Sequence, residues 1–96
     1  MAVWITSGAP ATSPVLTVNA TITAGFQLAV EGSGSVSATA VIEGSHDNKG
    51  WINVATLSAA GTNYATDGGP LETNWPYMRA RITAVSGGTA TVHQNI

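Results

Sequence analysis

An all-β fold is predicted by the sequence, in the form of a single antiparallel β-sandwich, jelly-roll-like or small barrel-like. Three observations predict it. Apolar and polar residues alternate with a period of two in several stretches, which places one row of side chains on each face of a strand. Turn-forming clusters recur roughly every 8–12 residues, the spacing of short antiparallel strands. No stretch shows the 3.6-residue period of a helix.

The clearest element is a hairpin from Ser35 to Leu57. Its first arm sets Val36, Ala38, Ala40 and Ile42 on one face and Ser37, Thr39, Val41 and Glu43 on the other. The polar run from Gly44 to Gly50 reverses the chain, because Asp and Asn bond their own backbone and Gly takes positive φ without strain. The second arm opens with Trp51 and continues through Ile52, Val54 and Leu57.

Before the hairpin, Val15 to Ile22 alternates and predicts a strand, Thr23 to Gly25 a turn, and Phe26, Leu28 and Val30 the inward row of a second strand. Glu31 to Gly34 is a further turn. After Leu57, residues 58 to 74 read as a loop, with Tyr64 and Leu71 as anchors and Asp67-Gly68-Gly69-Pro70 as a breaker. Trp75 to Ala84 is a strand with Met78, Ala80, Ile82 and Ala84 inward and Tyr77, Arg79, Arg81 and Thr83 outward. Val85 to Gly88 turns, and Thr89 to Asn95 closes the domain with Ala90 and Val92 inward.

At the N-terminus, Val3, Trp4 and Ile5 form an apolar tip on the linker SGAPATSP, whose prolines lock φ and offer no donor. Residues 1–14 are therefore an extended arm and linker, and residues 15–96 the β-domain. The tip either folds back as an edge strand or reaches a neighbouring subunit. A buried Trp gains about 1.5–3 kcal/mol or more, so it must find a surface.

Ninety-six residues make one domain, with a thin core of small side chains. Only 8% of the residues are charged, far below the usual share of about 25%. So weakly charged a surface offers little repulsion against association. Lys49, Arg79 and Arg81 are the only strong bases, too few for a nucleic-acid footprint. There is no cysteine, so no disulfide, thiolate metal site or thiol nucleophile. The start lacks the basic and long apolar regions of a signal peptide, and no segment has the ~20 apolar residues that span a bilayer. A protein made in a cytoplasm, away from membranes, is the expectation.

Catalytic chemistry finds little material. His46, Asp47 and His93 do not supply the three or four closely spaced ligands of a zinc site, and Lys49 interrupts a calcium-loop pattern. Glu31 and Glu43 read as surface carboxylates that aid solubility. No G-x-S-x-G elbow is present. Asn19-Ala20-Thr21 matches a glycosylation sequon that carries no meaning without secretion. Trp51 and Trp75, each at a strand entrance, read as caps on a thin core rather than as sugar-stacking platforms. The expectation is a protein with no catalytic residue, metal or cofactor.

The run E-G-S-H-D at 43–47, G-W at 50–51, and Y-M-R-A at 77–80 followed by a turn and a final strand resembles small structural proteins of tailed bacteriophages. The resemblance spans roughly residues 26–93 and includes capsid decoration or cement proteins, tail-tube modules and fibre modules. It implies a β-sandwich virion component on the capsid surface that binds a major capsid protein and itself, as a homotrimer or other homo-oligomer, and touches neither nucleic acid nor membrane. A glycan-binding or structural module of a tail fibre is the alternative it implies. With the residue reading, it makes Val3, Trp4, Ile5, Tyr77, Arg79 and Arg81 the candidate partner or oligomer contacts.

Overall fold

The computed structural model describes residues 2–18 and 21–96, and the chain is all-β. Its strands are β1 (Ala2–Ser7), β2 (Ala11–Thr12), β3 (Leu16–Thr17), β4 (Ile22–Ser45), β5 (Ile52–Thr73) and β6 (Tyr77–Gln94). They form one antiparallel sheet in the order β1-β6-β4-β5, with β2 and β3 also paired to β6.

Length shows how the three long strands are shaped. At about 3.3 Å per residue, the 24 residues of β4 would extend about 80 Å. The molecule's longest dimension is 41 Å. β4 must therefore double back, and β5 and β6 bend with it. The β4–β5 ladder is interrupted between Glu31 and Ser35, and the β4–β6 ladder between Gly32 and Ser37. The two ends of β4 consequently meet: Thr73, opposite Ile22, donates its hydroxyl to the sulfur of Met78, opposite Gly44, at 3.1 Å.

Glycine makes this bend possible. Gly32 lies opposite Gly88, and a Cβ on either would strike the facing backbone. Gly87 has φ +79° and sits against the Ser35 carbonyl. On β5 the bend uses Asn63 at φ 64°, whose Oδ1 accepts from the Gly34 N–H at 2.8 Å.

The predicted turns at 31–34 and 85–88 are thus bends within continuing strands. A glycine cluster permits either outcome, and the ladder on both sides selects the bend. Residues 58–73, expected as a loop, continue β5, because β4 supplies backbone partners from Thr39 back to Ile22. Thr23 to Gly25 is strand for the same reason, opposite Pro70 to Glu72. Pro70 is tolerated because β5 is an edge strand. Of the two expected anchors, Leu71 packs on the core and Tyr64 is 50% exposed. Among the described residues of the predicted strand from Val15 to Ile22, Leu16–Thr17 pairs with β6, and Ile22 begins β4. Asn19 and Ala20, and with them the sequon, lie outside the described residues.

The predicted inward rows form a single buried cluster, with Leu28, Ile42, Met78, Ile82, Val30 and Val92 fully enclosed. Ala84 is an exception. Thr39 pairs with Ala84 but Ala40 with Ile82, so Thr83 is an extra residue in β6 and flips Ala84 outward.

The N-terminal segment runs along the free side of β6. Ala2 pairs with Gln94, Ala11 with Ile82 and Leu16 with Met78, so residues 2–17 make a broken fourth strand. A bulge between Val3 and Ile5 turns Trp4 inward, where it stacks on Phe26 at 6.0 Å and donates Nε1–H to the Pro14 carbonyl at 2.9 Å. Ser13, just before Pro14, is buried and donates its N–H to the Ala80 carbonyl. Its Oγ accepts the Ala80 N–H at 2.8 Å, doing with a side chain what a regular strand does with its backbone.

Candidate functional site

The chain's chemistry gathers where the strands meet the 46–51 loop. Ser45, fully buried, accepts the N–H groups of Asp47 and Asn48 on its Oγ and donates to Asp47 Oδ1. Asp47 Oδ1 accepts in turn from the Lys49 and Gly50 N–H groups, both at 2.9 Å. These bonds, those from Gly50 and Lys49 foremost and that from Ser45 next, hold the Asp47 carboxyl below its ordinary pKa. Asn48 completes the turn at φ 59°. The loop is a closed hydrogen-bonded knot with His46 to Gly50 exposed on its outside.

Beneath the loop lies Glu43, which is only 6% exposed. It is not the surface carboxylate that the sequence suggested. β5 carries one extra residue, Val54, opposite the Ile42–Glu43 step, and Glu43 enters a site framed by β6. Its Oε1 accepts from Arg79 Nε at 2.8 Å and its Oε2 meets Arg81 Nη2 at 3.3 Å. The Arg79 guanidinium also lies 4.2 Å from the centre of the Trp51 ring, a cation–π contact.

The two tryptophans differ. Trp75 packs on the core, covers Gly44 so closely that a Cβ there would enter its ring, and meets the His46 ring at 4.9 Å. Trp51 is half-buried, does not belong to the core cluster, and is held by Arg79. Only Trp75 caps the core as both were expected to.

The six candidate contacts fall in two places. Val3, Trp4 and Ile5 lie on β1 beside the end of β6: Val3 is 59% exposed, Trp4 buried, and Ile5 half-buried against the core. Tyr77, Arg79 and Arg81 lie at the start of β6, Tyr77 half-buried opposite Ser45 and the two arginines tied to Glu43. His46 and His93 stand in the loop and near the end of β6, and among the described residues no three His, Cys, Asp or Glu side chains gather as metal ligands.

Sequence reasoning missed the Glu43–Arg79–Arg81 triad and the Trp51–Arg79 stack. A signal for the triad exists: Arg79 and Arg81 are two apart, hence on one face of a strand, and an antiparallel neighbour offers one carboxylate to both. A shallow groove of about 510 Å³ also opens beside β5, lined by Gly25, Phe26, Gln27 and residues 66–69. Much of its wall is glycine backbone, and it brings together no reactive pair. Comparison of the chain with protein-family models, curated proteins and solved structures finds no match.

Proposed function

We propose that the chain is a non-enzymatic structural protein of a tailed-phage virion, a capsid decoration protein that binds the major capsid protein on the head surface, stabilises it, and works as a homo-oligomer. One observation carries the reading. The chain's buried polar groups are committed to its own architecture: among the described residues every buried side-chain nitrogen or oxygen has a partner, and Glu43 is neutralised by two arginines. What faces outward is a weakly charged β-surface suited to contact by shape, with many copies supplying avidity. The test is co-sedimentation of the purified chain with heads that lack their decoration protein. Saturable binding that raises the temperature of head disruption supports the reading. No binding, or binding that leaves the heads no more stable, overturns it.

The partly exposed Trp51 favours a second reading, a glycan-binding module of a tail fibre. Trp51→Ala then abolishes glycan binding and costs less stability than the same change at Trp75, because Trp51 stands outside the core cluster. Trp75→Ala, which opens the core, costs about 3–5 kcal/mol in either case. Absence of any glycan binding by the unmodified chain on a glycan array removes this second reading.

A further inference from the structure

The bend of the ribbon lays the two halves of β5 side by side. The strand turns back between Gly61 and Tyr64, where a Cβ on Gly61 would strike the Tyr64 carbonyl. Each half keeps its own rungs to β4: Ser58 lies opposite Thr39, and Asp67 opposite Leu28. β5 pairs with β4 alone, so this side of the molecule closes without a further strand.

One carboxylate spans the seam. The Ser58 N–H donates to Asp67 Oδ2 at 2.9 Å, and Asp67 Oδ1 accepts the Gly68 N–H at 2.9 Å. The first bond holds one half of β5, and the second fixes the carboxylate on the other. Among the described residues no other side-chain hydrogen bond joins residues 52–60 to residues 65–73. Beyond Asp67 little packs across. A slot of about 160 Å³ lies there, walled by Ala55 and Leu57 of the first half and by Gly69 and Leu71 of the second, and it reaches Phe26 and Ile42 of the core. Gly69 supplies no side chain to fill it, and a Cβ at that position would meet nothing within 4 Å.

We propose that Asp67 is a latch. Its carboxylate holds the two halves of β5 together, and its release parts them and widens the slot to small apolar molecules. A hydrogen bond to a carboxylate is of the stronger, charge-assisted kind, and this one stands where apolar packing gives out. The inference concerns the chain's own conformation and stands whether or not the virion reading holds.

The test is residue-resolved amide hydrogen exchange of the full chain, wild type against Asp67→Ala. A bond that only caps one N–H predicts faster exchange at Ser58 and Gly68 and nowhere else. A latch predicts more. N–H groups alternate in direction along an antiparallel strand and that of Gly68 points to Asp67, so those of Ala65 and Gly69 point to β4. They too should exchange about tenfold faster in Asp67→Ala, while Ala80, bonded to Ser13 on the far side of the ribbon, stays unchanged. Benzene is of a size that an apolar space like this slot holds. At saturation it should shift the Leu57 and Leu71 methyl signals further in Asp67→Ala than in the wild type. Asp67→Asn offers one oxygen to the two N–H groups and should give the same changes in smaller measure, and it decides if Asp67→Ala does not fold. Unchanged exchange at Ala65 and Gly69, or benzene shifts no larger than in the wild type, overturns the proposal.

Discussion

At the scale of single residues, Glu43 and Asp47 show how two carboxylates four positions apart serve different ends. Glu43 sits under the sheet surface between two guanidiniums that still reach water. Its replacement strands no fully buried charge, so Glu43→Gln should cost about 1.5–3 kcal/mol, the range of hydrogen bonds to charged groups. Glu31→Gln, at an exposed position near the bend, should stay within about 0.5 kcal/mol. Urea denaturation of both variants checks the contrast, and equal costs would refute the account of Glu43. Asp47 is exposed, and its role is to order the loop. Because its carboxyl titrates lower in the folded chain than in the unfolded one, its contribution is fully present above the unfolded value of about 3.9 and lost as pH falls through the lower folded value. The difference in melting temperature between wild type and Asp47→Ala should therefore be constant from pH 7 to about pH 5 and shrink below about pH 4.

At the scale of elements, the bend decides the architecture. Gly87 combines φ +79° with a Cβ direction aimed at the Ser35 carbonyl, so Gly87→Ala should cost at least about 2 kcal/mol. Gly69 faces open space at an ordinary φ, so Gly69→Ala should be neutral or stabilise by up to about 1 kcal/mol through the unfolded chain. Thermal melts of the two variants rank them, and a reversed order would mean that the bend does not depend on Gly87. The rows at Val36–Ile42 and Met78–Ile82 were legible because alternation reports which face is buried. Three other features were not. Glycine clusters signal broken pairing without saying whether the chain reverses or merely bends, so 31–34 and 85–88 read as turns. The second half of β5 has Tyr64 and Leu71 as its only large apolar side chains and no alternating apolar row, so its strand character comes from β4 rather than from its own pattern. The bulge at Thr83 inverts the facing of Ala84, and a one-residue insertion leaves no mark in composition. At the candidate site, the loop's hydrogen-bonding residues were evident from Ser45, Asp47 and Asn48. Glu43 was misplaced because E-G-S looks like the start of a solvated turn.

At the scale of the whole molecule, one long ribbon is folded across a glycine line, with the N-terminal segment sealing the side of β6. Trp4 and Ser13 anchor that segment, through the stack on Phe26 and the paired bonds to Ala80. The other side of the ribbon is left to β5. The central claim is that the chain covers the free side of β6 with its own N-terminal segment. Residue-resolved amide hydrogen exchange tests it most directly. The Ala80 N–H, bonded to Ser13 Oγ, should be protected in the wild type and exchange markedly faster in Ser13→Ala. Free exchange of Ala80 in the wild type, or unchanged protection in the variant, would contradict the account.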